Sequence, residues 1–212
     1  DTGESIIACE DHLWYTITKL EYKQIRRGKL FEGSIKTTKQ IAETIKYKIR
    51  ETNHRIPITK PIFLPHCDFI IHPYLLGAWL GDGASNAGEI TCAENEIVEN
   101  LRQLGYSVNH VRDKLQHTID TKPSVRCKIS GRFTSNDSFY SKLKQLNLIK
   151  NKHIPDDYLN GSISQRMDLL RGLMDTDGYC DTAGHCEFVS IKKELAEDVL
   201  ELILSLGIKA KM

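Results

Sequence analysis

The hydrophobic positions of the chain fall into two matching blocks whose final acids, Asp82 and Asp177, stand 95 residues apart. The first reads Tyr74-Leu75-Leu76-Gly77-Ala78-Trp79-Leu80-Gly81-Asp82-Gly83, the second Leu169-Leu170-Arg171-Gly172-Leu173-Met174-Asp175-Thr176-Asp177-Gly178. Each is an apolar run that closes on an acid and a glycine. After each come a short loop, an alternating stretch (Gly88–Cys92; His185–Val189) and an amphipathic stretch ending at Leu104-Gly105 or Leu206-Gly207. Motif, strand, helix and terminal glycine in one repeated order mark an internal duplication.

Elsewhere the pattern is less regular. Residues 1–33 read as short strands and turns, with an apolar Ser5–Cys9 and an alternating Trp14–Thr18. Lys36–Arg50 predicts a helix capped by Thr37 or Thr38, with Ile41, Ile45 and Ile49 recurring every four residues. Pro57, Pro61 and Pro65 make a stiff connector that ends at Pro73, and a domain boundary is expected near residue 68. Tyr106–Arg112 and Ser124–Ser130 predict strands around a polar tip at 113–123, and Asn136–Leu146 a further helix.

Within the repeated runs, Gly77 and Gly81 share one helical face, as do Gly172 and Thr176. Small residues at that spacing let two helix backbones approach closely. Pro73 suits a first helical turn, and Gly83 and Gly178 suit a left-handed stop. Two helices packed by their glycine faces are expected, with Asp82 and Asp177 emerging together. A carboxylate at a helix C-terminus faces the negative end of the macrodipole, which costs about 0.3–1 kcal/mol. Two such groups also repel each other. Divalent cations are the usual counter-charge for paired hard oxygens. Asp-Gly as plain turn chemistry explains one copy better than two in the same setting.

Charge adds a direction. The net charge is +1, yet 12 Lys/Arg face 4 Glu from Lys19 to Lys60, and 10 Lys/Arg face 3 Asp from Arg112 to Lys152. Segregated basic blocks on a neutral whole suit a protein with one DNA-facing side. In Ser124–Ser130, Arg126 and Lys128 alternate outward from Val125, Cys127 and Ile129, an arrangement able to track phosphates. No apolar run reaches the roughly 20 residues a bilayer needs, and the first residues are no signal peptide. The six cysteines have no CxxC spacing, and free thiols in a cytoplasmic setting are expected. Zinc at Cys180, His185 and Cys186 is disfavoured, because Asp181 is the one nearby fourth ligand and Cys186 is read as facing inward beside Phe188.

The two runs resemble the paired signature helices of LAGLIDADG homing endonucleases, with both final acids retained, and the residues around them resemble an intein carrying such an enzyme. The resemblance implies an α+β fold: part of an all-β Hint splicing scaffold with a basic helix and connector over 1–68, then a pseudo-two-fold endonuclease of αββαββα repeats over 69–212. It implies Mg²⁺, two or three ions, held by Asp82 and Asp177, and a site-specific double-strand break in DNA. Asn151-Lys152-His153-Ile154-Pro155 resembles the block whose lysine lies near the cleavage centre, so Lys152 is a candidate for stabilising charge on the phosphate. His12, with Cys9 where a threonine usually stands, matches the histidine that helps the first acyl shift of splicing. Candidate DNA contacts are Arg126, Lys128, Arg132, Arg112, Lys46 and Arg50. The partners implied are double-stranded DNA, and host exteins or a complementary intein piece.

The second repeat has only Ile208–Met212 after Leu206-Gly207, and neither the N-terminal splicing nucleophile nor a final His-Asn pair is present, so the given chain is not expected to splice alone. Two rival readings remain: a splicing element whose endonuclease has lost activity, and a DNA-binding module without catalysis.

Overall fold

The computed structural model describes residues 5–30, 32–48, 51–111, 115–120 and 138–212. The chain divides into two compact units, Asp1–Lys60 and Pro61–Met212.

In the first unit, β1 (Leu13–Thr18) leads directly into α1 (Lys19–Ile25), and β2 (Ser34–Thr37) into α2 (Thr38–Glu43). Then follow β3 (Lys46–Tyr47), β4 (Glu51–Thr52) and β5 (His54–Arg55). β1 is the centre of an antiparallel sheet ordered β2-β1-β5, and β3 pairs with β4. The unit is therefore not all-β. Both helices begin with a capping box, Thr18 with Glu21 and Thr37 with Gln40, so each strand's last residue is also the next helix's first. The expected Lys36–Arg50 helix stops after Glu43. There the Thr44 hydroxyl turns back to the Gln40 carbonyl (2.7 Å), and Lys46–Tyr47 enters a strand. Ser5–Cys9 forms no strand. Thr16 is buried, but Leu13, Leu20, Ile35 and Ile45 stay exposed; no described apolar side chain of this unit is fully buried.

The second unit contains α3 (Pro73–Asp82), β6 (Glu89–Thr91), α4 (Asn95–Gln103), β7 (Ser107–His110), β8 (Gln116–Asp120), α5 (Phe139–Gln145) and α6 (Asp156–Leu159). It continues with α7 (Ile163–Asp177), β9 (Gly178–Cys180), β10 (Cys186–Phe188) and α8 (Lys193–Ser205). Its described strands form an antiparallel sheet ordered β6-β8-β7 and a β9–β10 hairpin. β8 occupies part of the expected polar tip. Its His117 and Ile119 are buried at alternate positions, a period-two signal hidden by polar neighbours.

α3 is buried from Pro73 to Leu80, as its uniformly apolar sequence demands, and packs against α7. A Cβ on Gly77 would strike the Leu169 carbonyl, one on Gly172 the Tyr74 carbonyl, and one on Gly81 the Thr176 hydroxyl. These contacts advance in step along both chains, so the helices run side by side in one direction.

Gly83 and Gly178 correct an expectation. Both are extended (φ −75° and −96°), not left-handed. Glycine is needed because a Cβ on Gly83 would meet the Trp79 carbonyl and ring, and one on Gly178 would lie 2.5 Å from the Met174 carbonyl. The left-handed stops fall one helix later, at Gly105 (φ 87°) and Gly207 (φ 71°).

Arg166 is wholly buried in α7, and among the described residues no carboxylate pairs with it. Its guanidinium donates to the carbonyls of Gly161 (2.9 Å), Ser205 (2.9 Å) and Ile62, and to the Ser205 hydroxyl (2.6 Å). It thereby binds the proline connector to the C-terminal end of α8, where a cation is favoured. Arg166→Met leaves those carbonyls without donors and should cost about 3 kcal/mol of unfolding free energy in a denaturant titration.

Burial holds His54, His72 and His117 below the usual histidine pKa. A group whose folded pKa is depressed stabilises the fold above its unfolded value, and that contribution disappears as pH falls through the folded one. His72 also caps α3, its Nδ1 accepting from the Tyr74 N–H (3.2 Å), a role protonation ends. The melting temperature should therefore drop below pH about 6.5. His72→Asn, which keeps a cap without a titrating group, should flatten that part of the profile.

Candidate active site

α3 and α7 end on Asp82 and Asp177, and the parallel packing brings the two carboxylates to one spot. Both are half-buried. Burial raises each pKa above the usual carboxylate value; the charge of Asp177 raises Asp82 further, while Lys152 pulls both down. The carboxylate carbon of Asp177 lies 3.4 Å from where a Cβ on Gly81 would sit, so glycine at 81 keeps that approach open.

Lys152 reaches this spot from the loop before α6. Ile154 anchors the loop, its side chain buried and its N–H donating to Asp198 of α8 (2.8 Å); the Lys150 N–H donates to the Ser85 carbonyl (2.6 Å). The Lys152 ammonium donates to the Gly81 carbonyl (2.7 Å), an unpaired acceptor at the end of α3, and stands 5.2 Å from the Trp79 ring centroid. Burial lowers its pKa to about 8, against the pull of Asp177 and Asp82. A cleft of about 420 Å³ opens here, lined by Gly81, Ser85, Lys152, Asp177, Ser190 and Lys192 among others. Lys192 was not singled out from sequence. No local sequence signal marks it; its place at the start of α8, on the cleft with Asp177, appears only in the fold.

The donor set suits a divalent cation. Two carboxylates supply hard oxygens, though among the described residues no third His, Cys, Asp or Glu joins them in a metal-binding group.

The other candidates lie elsewhere. His12, in the first unit, is exposed, its ring tilted against that of Trp14 with centroids 4.5 Å apart. Lys46 is exposed on β3, next to Tyr47, whose ring has the ammonium groups of Lys19, Lys23 and Lys48 within 5.8 Å. Arg50, Arg112, Arg126, Lys128 and Arg132 lie outside the described residues. Cys180 and Cys186 are not free thiols. The register of the β9–β10 hairpin sets them directly opposite each other, Cα atoms 4.1 Å apart, joined as a disulfide, and Cys186 is exposed rather than inward.

Residues 164–212, which begin within α7 and run to the end of the sequence, match the LAGLIDADG-like domain family. Over its whole length the chain is similar to the replicative DNA helicase DnaB of Mycobacterium intracellulare, at 32% identity over 221 residues, which is 99% of this chain and 34% of that protein. It is also similar to an iron–sulfur cluster assembly SufBD family protein of Mycobacterium leprae (strain TN), at 28% identity over 148 residues, 64% of this chain and 16% of that protein. The chain thus spans about a third of the first relative and less of the second. No helix among the described residues is long and apolar enough to cross a membrane.

Proposed function

We propose that the chain is a homing endonuclease that makes a Mg²⁺-dependent double-strand break in DNA, carried within a protein-splicing element. The observation that carries this reading is the meeting of Asp82 and Asp177 at adjoining helix ends, with Lys152 beside them. The LAGLIDADG-like match over 164–212 supports it. The two relatives support the splicing context. Their named activities, a replicative helicase and iron–sulfur cluster assembly, are unrelated, yet each shares with this chain a minor part of its length. An element inserted into different hosts leaves that pattern. The exposed apolar side chains of the first unit support its being part of a larger Hint scaffold. His12 would serve there as the splicing histidine, acting on exteins or with a complementary intein piece.

Asp82 and Asp177 would hold the Mg²⁺, which when bound supplies charge neutralisation for the attacking and leaving oxygens. The remaining steps belong to the chain. The two carboxylates orient a water for in-line attack on phosphorus, one P–O ester bond breaks, and the departing oxygen ends as a hydroxyl with one of the water's protons. The Lys152 ammonium offsets charge gathering on the phosphate. Arg126, Lys128, Arg132, Arg112, Lys46 and Arg50 would position the duplex through its backbone.

The test is a supercoiled plasmid carrying the helicase reading frame with the matched segment removed, incubated with the purified chain and Mg²⁺. Linear product at the junction is expected. A plasmid that is bound but stays supercoiled would make this a DNA-binding module.

A further inference from the structure

The turns that lead into α4 and α8 are built alike. The Glu94 N–H donates to Cys92 Sγ at 3.3 Å, and the Lys192 N–H donates to Ser190 Oγ at 3.2 Å. Glu94 and Lys192 then cap their helices with nearly the same backbone, φ −92° and ψ 115° against φ −99° and ψ 114°, neither side chain bonding to the helix. Three residues on, Ile97 and Leu195 are both buried. The two positions are structural counterparts occupied by opposite charges. A lysine at a helix N-terminus also opposes the macrodipole, so its place in α8 is not explained by helix stability.

Their surroundings differ accordingly. Lys192 is half-buried in the cleft with Asp177 and Lys152. Glu94 is exposed on the Asp82 side, where its charge adds to that of Asp177 in raising the Asp82 carboxyl. To the Lys152 ammonium that both acids share, the Asp177 side therefore adds a second ammonium group for an incoming phosphate, and the Asp82 side an additional carboxylate.

Resting on the nuclease reading above, we propose that Lys192 binds the scissile phosphate in the Asp177 half of the site while Glu94 disfavours one in the Asp82 half. The two DNA strands are then cut in fixed order, the strand at Asp177 first. Each cut is the same balanced hydrolysis; only the order is set by these residues.

The experiment uses the full chain and a linear duplex with the fused helicase junction, its strands carrying different end labels. In Mg²⁺, a nicked intermediate cut on one strand should accumulate. Lys192→Met should slow that strand about ten-fold and erase the order, Lys192→Arg should restore it, and Glu94→Lys should bring the two rates together. A readout without cleavage comes from binding to the same duplex in EDTA. There Lys192→Met should lower the slope of log affinity against log salt by about 1, and ethylation interference at the centre should weaken on one strand. Equal strand rates in the unmodified chain, or a salt slope unchanged by Lys192→Met, would overturn the inference and leave the nuclease standing. A folded chain that cuts neither strand would overturn both.

Discussion

Asp82→Asn and Asp177→Asn should each reduce DNA cleavage by at least about 100-fold, since losing even an outer partner of a metal ligand costs 10–100-fold in affinity or activity. The same variants should melt at higher temperature than the parent at neutral pH. Burial, and for Asp82 the charge of Asp177, raises the folded pKa above the unfolded value. Above its folded pKa each ionised group therefore opposes folding, and the opposition fades as pH falls through that pKa. A neutral amide of the same shape removes it. DNA affinity measured without divalent cation should persist. Calorimetry in the presence and absence of Mg²⁺ checks both parts: the parent should gain stability from the ion and the variants should gain little. Lower stability in the asparagine variants would mean that these carboxylates hold the fold together.

Gly172→Ala should destabilise the second unit severely. On an isolated helix alanine gains about 1 kcal/mol over glycine. Here its Cβ would strike the Tyr74 carbonyl and lie 2.7 Å from the Ala78 N–H, backbone atoms that cannot turn away. Overpacking of that kind costs up to about 3 kcal/mol, so the loss outweighs the propensity gain. Gly81→Ala makes a useful contrast. Its Cβ would meet the Thr176 side chain, with Thr176 Cβ at 2.8 Å. Combining it with Thr176→Gly should recover most of the loss relative to Thr176→Gly alone, whereas no side-chain truncation should rescue Gly172→Ala. Denaturant midpoints for this set measure how closely the two backbones run. Neutral Gly172→Ala would mean the helices are further apart than described.

The helix pair was readable because its signal is redundant: an apolar run, small residues four apart, and a terminal acid, all present twice. The same holds for the stops at Gly105 and Gly207, where the left-handed backbone favours glycine. Gly83 and Gly178 were read by the same rule and obey another one, because residue type does not distinguish a positive φ from a backbone that must be approached. In the first unit, α1 went unread although Thr18 and Glu21 spell a capping box; the alternating β1 before it dominated the pattern. α2 was overextended because Ile45 continued the four-residue spacing after Thr44 had closed the helix. Arg166 could not have been found. Nothing local announces that an arginine will be buried against carbonyls from residues 62, 161 and 205. The cysteine pairing depends likewise on a hairpin register that sequence spacing leaves open. At the site, the two acids and Lys152 carried recognisable contexts, while Lys192 became visible only once its turn could be compared with that of Glu94.

If Asp82 and Asp177 hold divalent cation at one shared place, the ion itself can mark it. Fe²⁺ substituted for Mg²⁺, with ascorbate and peroxide, cuts polypeptide close to where the ion is bound, and the fragments locate it. Scission is expected near residues 82 and 177 together, suppressed by excess Mg²⁺ and lost at both positions in either asparagine variant. Scission at one acid alone, or at an unrelated place such as the Asp181–His185 turn, would contradict a shared site.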